Sequence, residues 1–298
     1  MITRRIALGI VAALMASGPA AAKEKLKVTA SFSILGDLVK NVGGERVEVG
    51  TLVGPNGNSH VYEPSPADSK RLADAAVVFV NGLGFEGWLD RLVKASGTKA
   101  PVVVVSTGVK PLQRADAADH DHGRIDPHAW QSVSNVKIYV ANIRDALSKA
   151  DPAGKSAYTA NAAAYLTKLD ALEKEVKDTV TKIPADRRGV ITSHKAFGYF
   201  QDAYGITFTA AQGMSTEAEP SAKDLAAIIA LVRKEKISAV FLENVTDERL
   251  IKQIASETRA KIGGTLYSDA LTDANGPAPS YIDLIRHNVR ELAAALVS

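Results

Sequence analysis

One long amphipathic segment in the middle of the chain constrains its fold more than any other feature. Between Tyr158 and Ile183, apolar residues recur every three or four positions, the spacing that aligns side chains on one face of an α-helix. The segment is long enough for roughly seven turns. Short strand-like runs alternate with helical patterns on both sides of it. This order predicts two α/β halves joined by one rigid helix.

The strand-like runs are short, rich in Val and Ile, and bounded by turn-forming or charged residues. The near-continuous apolar runs at 75–82 and 101–107 predict strands buried on both faces of a parallel sheet. The predicted strands are 26–34, 47–53, 75–82, 101–107, 188–194, 206–213, 237–245 and 261–269. We therefore expect two Rossmann-like α/β lobes, at 23–150 and 185–298, with the connecting helix within 151–184.

The first 22 residues have the layout of an export signal. Two arginines precede an apolar run from Ile6 to about Ala16, and small residues follow up to Ala22. The run is shorter than the ~18 residues of a spanning helix, which favours a cleavable signal peptide at 1–22 over a membrane anchor. The sequence contains no cysteine, so we expect neither disulfides nor a lipid attached to cysteine. The prediction is a soluble periplasmic protein.

Charge and motifs argue against two other classes of protein. The formal net charge is only +3, and no Lys/Arg run resembles the basic stripe of a nucleic-acid-binding protein. The sequence also lacks the HExxH, GxSxG and Walker-type motifs. We therefore expect no nucleic-acid partner and no enzyme built on these motifs, and we expect a monomer.

Four side chains able to coordinate a metal end or follow predicted strands. His60 and His128 belong to the predicted N-terminal lobe, and His194 and Asp269 to the C-terminal lobe. Ligands of open α/β proteins bind beyond the carboxyl ends of the strands. If the lobes face each other, all four side chains can meet in the cleft between them. A single histidine at such a place is more often structural, but three of the six histidines in the chain share this predicted edge.

Three imidazoles and one carboxylate form the closed, four-ligand donor set that suits Zn²⁺. A bidentate Asp269 would supply five donor atoms, so Mn²⁺ stays open as an alternative. Catalytic zinc usually keeps one position for water, and four protein ligands leave little room for it. A zinc-dependent hydrolase of the cell envelope is therefore the weaker alternative.

Four segments, "SHVYEPSPAD", "DPHAW", "SHKAFGYF" and "YSDAL", occur in this order along the chain. Their pattern resembles the zinc/manganese solute-binding proteins of bacterial ABC transporters, over essentially the whole chain after the signal peptide. The resemblance implies two lobes with limited hinge motion and a buried metal held by His60, His128, His194 and Asp269. It also implies delivery of that metal to a permease with its ATPase. Family members with a glutamate as the third of the four ligands resemble manganese proteins. This chain has His194 there, which favours zinc.

Three further residues are candidates for accessory roles. His120 and His122 lie in "ADAADHDHGRIDPH", where zinc members often carry a longer His-rich loop; they form either a weak capture site or part of a solvated loop. Glu243, at the end of a predicted strand, either accepts a hydrogen bond from a ligand imidazole or serves as a simple cap.

Overall fold

The computed structural model describes residues 24–113, 125–217 and 220–297. The predicted signal peptide, His120 and His122 lie outside the described residues. Among the helices of the described ranges, none is long and apolar enough to cross a membrane.

In the described part of the chain, the strands form two groups of four, and the longest of the described helices lies between them in sequence. The strands are β1 Leu26–Phe32, β2 Val47–Val53, β3 Val77–Val80, β4 Val102–Val104, β5 Gly189–Thr192, β6 Thr207–Ala210, β7 Ala239–Glu243 and β8 Lys261–Leu266. The helices are α1 Ser33–Gly43, α2 Pro66–Asp74, α3 Leu89–Ser96, α4 Val133–Ala150, α5 Lys155–Val180, α6 Gly198–Tyr204, α7 Ala222–Lys234, α8 Glu248–Thr258 and α9 Tyr281–Val297.

Each group forms one four-stranded sheet, and the two sheets have the same topology. Their strand orders are β2-β1-β3-β4 and β6-β5-β7-β8, and every pairing is parallel. Parallel strands place all their carboxyl ends at one edge of the sheet, where ligands of such folds bind. The prediction of two Rossmann-like lobes is confirmed.

One predicted strand has a different environment from the one expected. β3 is buried along its whole length, but Val102 and Val104 of β4 are each 40% exposed. The prediction that 101–107 is a strand buried on both faces is therefore wrong. β4 is an edge strand of three residues that pairs with β3 alone, and an edge position leaves part of its surface uncovered.

Helix α5 is a core element shared by both lobes. The apolar residues that predicted it are buried, including Tyr158 at one end and Val180 at the other. The helix packs against α1 and α4 of the N-terminal lobe and against α9 of the C-terminal lobe. One hydrophobic core runs through these contacts, because a helix with a full-length apolar stripe must bury it along its whole length. The domain limits proposed above stay a prediction.

Candidate metal centre

The fold brings together the four side chains that the sequence singled out. His60, His128, His194 and Asp269 are buried, and one potential ligand atom of each lies within 4.8 Å of the corresponding atoms of the other three. Oδ2 of Asp269 is 3.0 Å from Nε2 of His194 and 3.2 Å from Nε2 of His60. Nε2 of His128 is 3.4 Å from Nε2 of His60 and 3.7 Å from Oδ1 of Asp269.

His60 sits in the loop between β2 and α2, and local hydrogen bonds hold both sides of it. Oδ1 of Asn58 accepts the backbone N–H of His60 at 3.0 Å, and Nε1 of Trp88 donates to the carbonyl of Ser59 at 2.8 Å. Farther along, Asp68 caps the start of α2 by accepting from the backbone and hydroxyl of Ser65. These bonds fix the path of the loop.

His128 is oriented by a carboxylate two residues before it. Oδ1 of Asp126 accepts the backbone N–H of His128 at 3.0 Å and lies 2.9 Å from its Nδ1. A donor proton on Nδ1 leaves the Nε2 lone pair directed at the centre. The amide of Asn81 also donates to the carbonyl of Pro127 at 2.9 Å. Sequence reasoning did not single out Asp126, although its place in the "DPH" segment was a usable signal.

Glu243 supports His194 from the neighbouring strand. Since β5 and β7 pair in the sheet, the end of β7 lies beside the residues that follow β5. Oε1 of Glu243 accepts the backbone N–H groups of Ser193 and His194, at 2.7 and 2.9 Å. Its Oε2 lies 2.7 Å from Nδ1 of His194. Glu243 therefore contacts both the imidazole of His194 and the backbone around it, so both roles left open by the sequence have a structural counterpart.

The segment carrying Asp269 is joined to the other lobe at the adjacent residue. Nε1 of Trp130 and Nε2 of Gln131 both donate to the carbonyl of Ser268 at 2.8 Å. The hydroxyl of Tyr281 donates to the carbonyl of Trp130 at 2.8 Å. Because Trp130 follows His128 by two positions, these bonds join the His128 and Asp269 segments across the lobes. None of these partners was predicted from the sequence.

Aromatic rings close the site from one side. The ring of Phe85 lies 5.1 Å from that of His60 and 5.9 Å from that of His128, and Trp130 lies 5.3 Å from His128. Phe85 and Trp130 are themselves buried. An apolar wall of this kind keeps water away from the imidazoles and lowers the local dielectric constant, which strengthens their interaction with a cation.

Burial and mutual contact perturb three of the four groups. Burial lowers the pKa of His60 to about 4, although Asp269 opposes part of the shift. Burial also disfavours the charged form of His194, but Glu243 and Asp269 outweigh it and raise its pKa well above the usual value. Burial opposes ionisation of Asp269, yet the neighbouring His194 and His128 hold its pKa well below the usual range. His60 therefore offers a neutral ring nitrogen at neutral pH, and Asp269 offers an anion.

His287, the remaining histidine among the described residues, lies outside this group. It belongs to α9, where its Nε2 lies 2.9 Å from the carbonyl oxygen of Thr265 and its ring packs against Tyr267. This placement agrees with the structural role of an ordinary helix histidine.

Comparison with known proteins places these features in a family. Residues 28–295 match the family model described as "ZnuA: Zinc-uptake complex component A periplasmic". The manganese-binding lipoprotein MntA of Halalkalibacterium halodurans is 37% identical over 92% of this chain and 89% of its own length. The manganese ABC transporter substrate-binding lipoprotein PsaA of Streptococcus mitis is 32% identical over 96% of this chain and 95% of its own.

Solved structures give the same result for the fold. The periplasmic zinc-binding protein TroA of Treponema pallidum superposes with a TM-score of 0.86 at 30% identity, over 92% of this chain and all of that one. The relatives are named after zinc in one case and manganese in two. The chain belongs to the ZnuA family of periplasmic metal-binding proteins, the substrate-binding components of zinc and manganese ABC transporters.

Proposed function

We propose that this protein captures Zn²⁺ with His60, His128, His194 and Asp269 and delivers it to an ABC-type importer. The observation that carries the proposal is the buried group of three imidazoles and one carboxylate, two from each lobe, with their ligand atoms close enough to share one ion. Burial removes these side chains from water, and a divalent cation bound by all four would compensate for part of that loss.

The distances between donor atoms support a tetrahedral ion. Zinc bonds of 2.0–2.1 Å to nitrogen and oxygen correspond to about 3.4 Å between neighbouring ligands of a regular tetrahedron. Three donor pairs lie near this spacing: Oδ2 of Asp269 is 3.0 Å from His194 and 3.2 Å from His60, and His60 is 3.4 Å from His128, while all four ligand atoms lie within 4.8 Å of one another. These three pairs therefore already lie near the spacing that tetrahedral zinc requires.

The number of protein ligands supports transport rather than catalysis. Four protein donors around zinc leave no position for the water molecule that a catalytic site activates. The relatives described above are named as metal-binding or transport proteins, and the comparisons give no support to an envelope hydrolase. We propose a carrier without enzymatic activity.

Manganese is the second candidate cargo, and two observations favour it. MntA and PsaA, both similar over nearly the whole chain, are named as manganese proteins. Asp269 has a second oxygen, Oδ1, only 3.7 Å from Nε2 of His128, so a bidentate carboxylate could raise the coordination number to five. The nitrogen-rich donor set nevertheless favours zinc, because manganese prefers oxygen ligands.

We infer the partner that receives the metal from the named role of a relative. PsaA is named as the substrate-binding component of a manganese ABC transporter, so we propose that a permease with its ATPase receives the metal in the periplasm. Several relatives are named lipoproteins, whereas this sequence has no cysteine. We propose that this carrier acts as a soluble monomer after removal of residues 1–22.

The decisive experiment is metal analysis of the protein purified without chelator, followed by calorimetric titration of the metal-free form with Zn²⁺ and with Mn²⁺. We expect one zinc per chain and displacement of manganese by zinc in direct competition. Binding should collapse in the His60→Ala/His194→Ala double variant and persist in His287→Ala. Wild-type zinc affinity in the double variant would contradict the proposed ligands, and stronger binding of manganese would reassign the cargo.

A further inference from the structure

The loop that carries His60 also spans the cleft between the lobes. We call residues 54–64 the His60 loop. Its Asn56 donates a backbone hydrogen bond to the carbonyl of Leu271 at 2.8 Å, beyond the end of β8. The amide of Asn244, beyond β7, lies 3.5 Å from Oδ1 of Asn56. A loop of the N-terminal lobe therefore rests on loops of the C-terminal lobe beside the site.

Asn58 makes the most complete of these cross-lobe contacts. Its Nδ2 donates to Oγ1 of Thr216 at 2.8 Å and to the carbonyl of Val245 at 2.9 Å. Its Oδ1 accepts the backbone N–H of His60 at 3.0 Å. One side-chain amide thus joins the His60 backbone to two separate loops of the opposite lobe.

The Thr216 contact reaches the segment of a second candidate ligand. Thr216 lies in the loop after β6, where the carbonyl of Gly213 accepts the backbone N–H of Lys195 at 2.9 Å. In the same loop the backbone N–H of Gln212 donates to the carbonyl of Ser193 at 2.8 Å. These two bonds flank His194. Through Thr216, Asn58 is connected to the backbone on both sides of that histidine.

We infer that Asn58 is a positioning residue that makes the placement of His60 depend on contact between the lobes, and so sets the rate of metal release. The inference rests on the proposed function, since it assumes that His60 binds the transported metal. When the lobes separate, Asn58 loses both partners of Nδ2. Its amide is then free to turn, and the backbone N–H of His60 loses a fixed acceptor.

This arrangement differs from the support given to the other two histidines. Asp126 and His128 lie in the same lobe, as do Glu243 and His194. Opening of the cleft leaves those pairs intact. Asn58 is different because the groups that fix its amide belong to the lobe opposite His60. Opening therefore weakens the hold on His60 while the other two imidazoles stay oriented, which lets the ion leave by losing one ligand first.

The test measures release of bound Zn²⁺ into an excess of a fluorescent chelator by stopped flow. Asn58→Ala removes all three bonds, whereas Asn58→Asp keeps an acceptor for His60 and removes both donors. We expect both variants to release zinc at least about fivefold faster than the wild type, the factor that corresponds to losing one or two net hydrogen bonds. Thr216→Val removes one acceptor and should accelerate release less. This variant provides the test if the Asn58 variants fold poorly.

Asn142→Ala is the matched control. Asn142 also donates two bonds through Nδ2, to the carbonyls of Val105 and Thr107 at 2.7 and 2.8 Å, but within the N-terminal lobe. Its substitution should lower the thermal stability of the metal-free protein by about as much as Asn58→Ala and leave the rate of zinc release unchanged.

Release at the wild-type rate from Asn58→Ala and Thr216→Val would overturn the inference. A second result would also overturn it: fast release from Asn58→Ala, but release at the wild-type rate from Asn58→Asp and Thr216→Val. In that case only the hydrogen bond from the His60 backbone to Asn58 would matter, and the contacts with the other lobe would not. Both results count against the inference only if the wild type is found to bind one zinc per chain. Absence of zinc binding by the wild type would instead reject the proposed function, and the two failures are therefore distinguishable.

Discussion

A single carboxylate oxygen of Asp126 touches His128 at two points, its backbone N–H at 3.0 Å and its Nδ1 at 2.9 Å. The contact holds the ring in one orientation and favours the tautomer with a free Nε2 lone pair. We expect Asp126→Asn to keep the fold but to weaken zinc binding by about 10–100-fold, because the neutral amide polarises the imidazole less. Calorimetric competition with a chelator measures the change. Asp145→Asn, at an exposed site paired with Arg144, is the control; equal affinities in the two variants would refute the role of Asp126.

Two substitutions of Glu243 should affect folding stability and zinc affinity to different extents. Its Oε1 satisfies two buried backbone N–H groups, those of Ser193 and His194. Glu243→Ala leaves both without a partner, and we expect a loss of about 2–4 kcal/mol in the free energy of unfolding. Glu243→Gln retains the accepting oxygen but loses the charge beside His194, so we expect it to lose less unfolding free energy than Glu243→Ala.

The Gln variant should nevertheless bind zinc poorly. Its amide nitrogen would donate toward Nδ1 of His194, which now lies 2.7 Å from Oε2 of Glu243, and this favours the tautomer with a proton on Nε2. We expect zinc affinity to fall about 10–100-fold. Urea unfolding and zinc titration of the same preparations provide the two measurements. Parallel losses of stability and affinity in Glu243→Gln would count against this separation.

His194→Glu should shift the metal preference. The change converts a donor set of three nitrogens and one carboxylate into two nitrogens and two carboxylates, which suits manganese better. We expect the ratio of zinc to manganese affinity to fall by at least about tenfold, with the absolute affinity for zinc reduced. Competition of the two ions, read by elemental analysis, measures the ratio. An unchanged ratio would show that the third ligand does not set the preference.

Asp37 gives the stability of the protein a defined dependence on pH. Its Oδ2 accepts the backbone N–H of Tyr281 at the start of α9, and burial raises its pKa from 3.8 to about 6 against the opposing effect of that hydrogen bond. A folded pKa above the unfolded pKa means that folding favours the protonated form. The contribution of Asp37 is therefore most favourable below about pH 4 and is lost as the pH rises through 6.

The effect of Asp37 on the pH dependence of stability can be isolated by comparing the wild type with Asp37→Asn. Titration of all other groups cancels in the difference between their unfolding free energies. Between pH 7.5 and pH 5, the wild type should gain about 1–2 kcal/mol of unfolding free energy relative to this variant. Urea unfolding at both pH values tests it. A difference that does not change with pH, or that changes in the opposite direction, would contradict the raised pKa.

Much of the fold followed from local pattern. The helix predicted between Tyr158 and Ile183 is observed as Lys155–Val180. It could be predicted because its apolar residues repeat with the period of a helix, which depends only on neighbours in the chain. Each of the eight predicted strands overlaps an observed one for the same kind of reason. The four candidate ligands could be proposed because strand ends of parallel sheets share an edge, which topology alone dictates.

What the pattern did not predict depends on the position of an element in three dimensions. The valines of β4 read as a buried strand, yet the strand lies at the edge of its sheet, and strand order is not encoded in the composition of one strand. Asp126 was overlooked because a carboxylate near a histidine has many possible roles until their distance is known.

The sequence by itself determined which elements form and which side chains stand at their ends, since these follow from periodicity and turn chemistry within short segments. Only the tertiary structure decided how the two lobes are joined around the site. Trp130 meets the carbonyl of Ser268 across 138 positions, and Asn58 meets that of Val245 across 187. Such pairs arise when packed cores bring distant loops together, and no local pattern carries that information.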